Sequence, residues 1–490
     1  MEVVALQERT RRLPWLRLGL LGTLAASECL YALAAFWAFP LLSNGSQLTD
    51  LTGLTGQQPA AGVVIVFGLA ALFSLYGLAA WLLPRSGRAA AVVVLGGAAL
   101  LSFTLVFLYP VTAMDVYNYA VEGHILSFDH LNPLTTPPAS AVGDAFVLYA
   151  GSWSSSPSPY GPVWLTISRI IAHLAGSDVV LAVLIFKAMA AAAVWLTTAL
   201  LFLAGQRHLS TTNAARGALL FGWNPLVQIE LVGNGHNDAV MILLGVGGLL
   251  LFGWARRRLK ERSAATAPAI GIATAALVAS VLVKFLTAPA LPLAMVSLAT
   301  DRHVTRRRRC AALLICAVVA VATAVLAYAP FWSGSATFLR LRQADSNYLA
   351  SIPALAILLV PASIGWLLYA RALVLGTTAA VSLWYLMRGR CSLGVALFEI
   401  TFVGILVVDH FAGWYVPLLL ALAVLSRDSR RCWRAVALTL TATITTPLWA
   451  YYWPLNQATT DLKSFHLILV PLTFLPPLLI ALRQAWVDRT

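Results

Sequence analysis

Long apolar runs, each near the length needed to cross a bilayer, alternate with short polar breaks along nearly the whole chain. A transmembrane helix needs about 20 mostly apolar residues. Runs of this kind lie at 15–40, 60–83, 89–109, 178–204, 217–232, 239–255, 265–283, 285–300, 310–330, 364–387, 392–408, 413–426, 435–452 and 465–482. The pattern predicts an all-α polytopic membrane protein of about 14 transmembrane helices, within a range of about 12–14. Lys284 interrupts the apolar stretch at 265–300, which therefore reads as a broken or re-entrant pair. The stretch Val163–Leu174 is too short to span and carries Arg169 and His173, so it predicts an interfacial amphipathic helix.

Composition agrees: 60% of the 490 residues are hydrophobic and 11% are charged. Soluble, disordered, collagenous and disulfide-stapled classes are excluded. The formal net charge of +14 would suggest nucleic acid in a soluble protein. Here the basic residues collect in every other loop, at 205–216, 256–264, 301–309 and 426–434 among others, and mark the cytoplasmic side. Both termini are then cytoplasmic and the protein sits multi-pass in the plasma membrane, with no nucleic-acid partner. Five cysteines show no metal-ligand spacing and read as buried or reduced thiols. The chain divides into N-terminal membrane helices over 1–110, an extracytoplasmic loop over 111–177 and a helical bundle over 178–490 that completes one membrane domain.

The unusual polar residues fall on the outer segments. Asp115 follows the third span, and Tyr119 and Glu122 share its helix face at i+4 and i+7. Asp115 is either a helix-start acid favoured by the helix dipole or a general base at the membrane surface. A second outer turn reads Gly233-Asn234-Gly235-His236-Asn237-Asp238. Asn237 or Asp238 could cap the next helix, whereas His236 fits a phosphate or sugar-hydroxyl contact. Lys284 is a snorkelling lysine or a cation for a lipid phosphate; Arg340 and Arg342 are a solvated pair or further phosphate ligands. Asp409, His410, Trp414 and Tyr415 form another outer turn, its aromatics also fitting an interfacial belt.

The segments Asp115-Val116-Tyr117-Asn118-Tyr119-Ala120, Pro159-Tyr160-Gly161-Pro162-Val163-Trp164, Trp223-Asn224-Pro225-Leu226 and Gly233–Asp238 resemble GT-C membrane glycosyltransferases. More narrowly, they resemble the polyprenol-phosphate-mannose-dependent α-1,6-mannopyranosyltransferases of actinobacterial lipomannan synthesis. Val283-Lys284 and Gly413-Trp414-Tyr415 are similar to further positions of that family. The resemblance implies a GT-C fold and inverting transfer of mannose from polyprenyl-phosphate-mannose to an α-mannoside or glycolipid acceptor, forming an α-1,6 linkage on the outer face. Asp115 is then the base. Lys284, His236, Arg340 and Arg342 bind the donor phosphate. Tyr119, Glu122, Tyr160, Asn234, Asn237, Asp238, Asp409, His410, Trp414 and Tyr415 contact substrate. No metal and no cofactor are expected. A transferase for another polyprenyl-linked sugar, such as arabinofuranose or glucose, and a transporter or flippase are the competing readings.

Overall fold

A computed structural model describes residues 2–83, 89–261, 265–338, 349–456 and 458–487, with backbone alone for 2–15 and 363. Arg340 and Arg342, and Arg262 of the basic 256–264 loop, lie outside the described residues. Among the described residues the regular structure is helical, and extended pairing is limited to isolated bridges. The α-helices of eight or more residues are α1 (Glu2–Leu33), α2 (Pro59–Leu82), α3 (Ala90–Leu105), α4 (Asp115–Ser127), α5 (Pro162–Ala175), α6 (Val179–Gln206), α7 (Thr211–Gly222), α8 (Asp238–Arg258), α9 (Thr266–Val283), α10 (Ala290–Ala299), α11 (Arg306–Tyr328), α12 (Ile352–Leu359), α13 (Ile364–Met387), α14 (Leu393–Leu406), α15 (Val416–Ser426), α16 (Ser429–Pro447) and α17 (Leu462–Val487).

Among the described residues, 8 helices are long and apolar enough to cross a membrane. They coincide with expected spans, and the chain is a membrane protein. The other expected spans are shorter helices or are interrupted. The run at 217–232 ends as a helix at Gly222 and resumes as a wider coil over Val227–Gly233. Asn224 and Pro225 explain the break. Proline has no amide to donate, and the Asn224 side-chain carbonyl instead accepts from the amides of Leu226 (3.0 Å) and Val227 (3.4 Å). The stretch 265–300 is also broken. Lys284 ends α9 in an extended conformation and a short 3-10 turn, Phe285–Thr287, precedes α10.

The chain forms two compact units, one of residues 1–113, 187–235 and 423–490 and the other of 114–186 and 236–422. In the first, α1 packs on α2 and α3, α3 on α7, and α16 on α17 and α2. The Trp223 indole N–H donates to the Val94 carbonyl at 2.9 Å, and Asn224 donates to Thr439 at 3.0 Å. The buried Lys187 ammonium donates to the Leu108 carbonyl oxygen. Such contacts satisfy polar groups that hydrocarbon cannot.

In the second unit α4 packs on α5, α8 on α9, α9 on α11, and α13 on α14. The amphipathic helix expected over Val163–Leu174 is α5, which buries Trp164, Leu165, Ser168, Ile171, Ala172 and Ala175 along one stripe. Two glycines set its position. A Cβ on Gly123 would lie 2.3 Å from the Ser168 carbonyl oxygen, so α4 and α5 touch backbone to backbone. A Cβ on Gly161 would lie 2.0 Å from the Leu282 carbonyl oxygen, and the Gly161 amide donates to Val283 at 3.2 Å. The Tyr-Gly-Pro element is thereby pressed against the end of α9, one residue from Lys284.

Gly161→Ala should destabilise the protein by about 1–3 kcal/mol, the usual cost of forcing atoms into a filled site. Gly96→Ala, whose Cβ meets nothing within 4 Å, should be neutral or stabilising because alanine favours helix. Thermal unfolding of the two variants in detergent checks both.

Candidate active site

Asp115 is the first residue of α4, where a negative charge meets the positive end of the helix dipole. No side-chain cap accompanies it at Met114. Almost all of α4 is enclosed: Asp115, Asn118, Tyr119 and Glu122 are buried. The Tyr160 hydroxyl donates to Asp115 Oδ1 at 2.7 Å. Tyr160 is held in turn by its amide bond to Ser158 (3.2 Å) and by edge-to-face contact with the Tyr119 ring at 5.0 Å. Tyr119 also meets Trp164 edge-on at 4.9 Å and Phe186 at 5.7 Å. This aromatic cage fixes the carboxylate and keeps bulk water from it.

Burial, and then the Asp115 charge, push the Tyr119 and Tyr160 hydroxyls well above their ordinary range. Both therefore stay protonated and act as donors. Burial pushes the Glu122 carboxyl up to about 8, against the opposing hydrogen bonds from Ser158 and Asn118. The Asn118 amide donates to Glu122 Oε1 at 3.0 Å. The face expected at i, i+4 and i+7 thus exists, with one carboxylate at its start and a largely neutral acid at its end.

The second cluster belongs to the start of α8 and the end of α9. Asp238 is fully buried, and its Oδ2 receives Lys284 Nζ at 2.6 Å. The Asn237 side chain makes no cap hydrogen bond, so of the two readings of this turn, helix capping by Asn237 is not the one the geometry realises. His236 stacks on Trp414 at 4.3 Å, and Lys284 lies 5.9 Å from the Trp414 ring centre and 5.2 Å from that of Tyr415. Two aromatic faces and one carboxylate thus surround the ammonium. The side-chain amide of Asn237, the second oxygen of Asp238 and the carbonyl oxygen of Asn118 are buried without a hydrogen-bond partner. Buried polar atoms of this kind are costly to leave unmet. The two clusters converge on Tyr119, whose hydroxyl feels the charges of both Asp115 and Asp238.

Asn234, in the other unit, accepts from the amides of Val111 (3.1 Å) and Thr112 (3.4 Å) and donates to Glu230 at 2.9 Å. It fixes the chain leading towards Asp115. Asp409 is engaged by Arg371, which explains a cation in an apolar span. His410 pairs through its backbone with Leu349. The spacing of residues gave no hint of the Tyr160–Asp115 and Lys284–Asp238 pairs. Each joins positions 45 or more apart; all four residues were expected at the site, but not as these pairs.

A family profile described as "Alpha-(1->6)-mannopyranosyltransferase, N-terminal domain" matches residues 16–300. The chain belongs to this family. The matched span contains Asp115, Tyr119, Glu122, Tyr160, Asn234, His236, Asn237, Asp238 and Lys284, while Asp409, His410, Trp414 and Tyr415 lie beyond it. Among family relatives, alpha-(1->6)-mannopyranosyltransferase A of Corynebacterium glutamicum is 31% identical over 170 residues, covering 34% of this chain and 33% of the relative. An alpha-(1->6)-mannopyranosyltransferase of Mycobacterium tuberculosis is 36% identical over 152 residues, covering 29% and 24%. The B enzyme of C. glutamicum is 27% identical over 266 residues, covering 50% and 41%. These alignments span well under half of each relative. Among solved structures, the archaeal oligosaccharyltransferase AglB from Archaeoglobus fulgidus aligns at a TM-score of 0.40 and 17% identity, covering 80% of this chain and 55% of that one.

The raised Glu122 carboxyl carries a sign. The folded state holds a proton on it up to about pH 8, whereas the unfolded chain releases it near its ordinary value of about 4.3. Stability should therefore fall as pH rises between those limits and level off above. Glu122→Gln should flatten that dependence in thermal unfolding scans from pH 5 to 9, and at pH 8.5 should unfold no earlier than wild type.

Proposed function

We propose that this chain is an inverting, GT-C-type mannosyltransferase, taking mannose from polyprenyl-phosphate-mannose and delivering it to an α-mannoside or glycolipid acceptor in α-1,6 linkage. The observation that carries the reading is one enclosed unit holding a carboxylate fixed by a tyrosine hydroxyl and a lysine ammonium ringed by aromatics, in a chain of the mannopyranosyltransferase family. The reaction takes place at the extracytoplasmic face of the plasma membrane, with both termini cytoplasmic, as the distribution of basic loops supports.

In this reading the acceptor hydroxyl oxygen bonds to the mannose anomeric carbon while Asp115 takes its proton. The bond from that carbon to the donor phosphate oxygen breaks on the opposite face, the same facial logic that separates base and leaving group in other inverting sugar transfers. The leaving group is polyprenyl phosphate, already an anion, so a cation stabilises its growing charge without a dedicated acid. Lys284 is that cation, aided by His236 and by Arg340 and Arg342. Asp238 holds the ammonium in place in the absence of donor and yields part of it to the phosphate on binding. Tyr119, Tyr160, a neutral Glu122, Asn237 and the aromatic faces of Trp414 and Tyr415 suit a sugar ring, offering donors along its edge and stacking surface for its C–H face. Asp409 and His410 shape the same site from the loop they hold, and Asn234 is a further substrate contact.

The direct test incubates purified protein with radiolabelled polyprenyl-phosphate-mannose and a short α-mannoside. Wild type should form an α-1,6-linked product. Asp115→Asn should remain folded and lose turnover by about 10²–10⁴, the usual contribution of a placed general base. Wild-type turnover in that variant would remove Asp115 from the mechanism, and no product from wild type would reject the donor or acceptor.

A further inference from the structure

At the far end of α4 from Asp115 a separate cluster forms. His124, Asp129 and Asp144 each place one ligand atom within 4.8 Å of the others. The first two belong to the last turn of α4 and the residues just after it, and Asp144 returns from the loop before α5. Only the fold assembles them, so their spacing matches no metal motif and the sequence reading expected none.

We propose that His124, Asp129 and Asp144 bind one divalent transition-metal cation of the Zn2+ type, which ties the loop at Asp144 to the end of α4. Three features carry this. The Asp144 carboxylate is aimed by its own backbone: Oδ1 accepts from the Phe146 amide at 2.8 Å, leaving Oδ2 to face His124 Nε2 at 3.3 Å. The pair is within ion-pair distance but outside hydrogen-bond geometry, so the buried Oδ2 is met by the imidazole alone. Two ligands each about 2.1 Å from a tetrahedral ion stand about 3.4 Å apart, so the observed separation suits an ion between them.

The imidazole is also fixed. It stacks on the buried Phe146 ring at 4.1 Å and 3°, and meets Phe128 at 4.7 Å. A ligand immobilised before binding loses little entropy on coordination. Asp129 completes the set from the exposed side, where the chain turns sharply at His130, whose φ is 57°. The Asp129 carboxylate and that of Asp144 stand within 4.8 Å of one another, and two like charges this close repel unless a cation lies between them. One imidazole and two carboxylates favour a borderline ion such as Zn2+ over Mg2+ or Ca2+, which prefer all-oxygen shells. The site is structural with respect to Asp115: nine residues of helix separate His124 from it, about 13.5 Å at 1.5 Å per residue.

The test uses the full-length chain, purified in detergent, stripped with EDTA and titrated with Zn2+ by equilibrium dialysis, with Mg2+ in parallel. Wild type should bind one Zn2+ per chain and should not bind Mg2+ comparably. Asp144→Asn, which keeps the acceptor for the Phe146 amide, and the exposed Asp129→Asn should each weaken Zn2+ binding at least tenfold, and His124→Gln should do the same. Zn2+ should also raise the unfolding temperature of wild type and not that of Asp129→Asn. Absence of saturable Zn2+ binding by wild type, or affinity unchanged in Asp129→Asn and Asp144→Asn, would overturn the proposal.

Discussion

A carboxylate with no exposed surface costs several kcal/mol to remove from water, and the cost is tolerable only when a cation meets it. Asp238 is such a group, and Lys284 meets it at 2.6 Å. Much of the second unit follows from that contact. The lysine must stand where α9 has ended, so the helix stops at Val283 and the chain turns extended before α10. The same extended segment is where Gly161 docks, which fixes Tyr160, and Tyr160 fixes Asp115. A membrane-embedded chain with few charges has thus gathered two carboxylates, Asp115 and Asp238, close enough for one tyrosine, Tyr119, to feel both.

That arrangement suits transfer from an anionic lipid carrier better than hydrolysis in bulk water. The aromatic cage encloses Asp115, and an enclosed site disfavours attack by water in place of a sugar hydroxyl. The ammonium is already desolvated and oriented, so binding a phosphate requires an exchange of partner from Asp238 and little reorganisation. The neutral Glu122 and the two protonated tyrosines add donors without adding charge.

The helical class and the membrane-crossing runs were legible because hydrocarbon imposes a simple rule on sequence: long, apolar and uncharged. The amphipathic α5 was legible for the converse reason: it is apolar but too short to span and carries Arg169 and His173. The break at Lys284 was legible, since a cation interrupts an apolar run there; the break at Asn224-Pro225 was not, and 217–232 read as one span although the structure interrupts it. The number of crossings was less so, because a helix of 16 residues such as α3 is apolar yet shorter than a bilayer, and length alone does not decide its depth. Among site residues, Asp115 and Lys284 announced themselves as charges in costly places. Their partners did not, because Tyr160 resembles any interfacial tyrosine and Asp238 any helix-start acid. His124 and Asp144 were silent in sequence, being 20 residues apart with nothing between them to signal a return.

The central claim is a division of labour, with Lys284 holding the donor phosphate and Asp115 acting only on the acceptor proton. Donor affinity separates the two. Polyprenyl-phosphate-mannose would be titrated, without acceptor, into wild type, Asp115→Asn and the double variant Lys284→Met/Asp238→Asn, which removes both charges so that no buried carboxylate is stranded. The account predicts unchanged affinity in Asp115→Asn and a loss of about 10- to 100-fold in the double variant, as expected for a charge-assisted contact of about 1.5–3 kcal/mol. Equal weakening in both, or full donor affinity in the double variant, would contradict it.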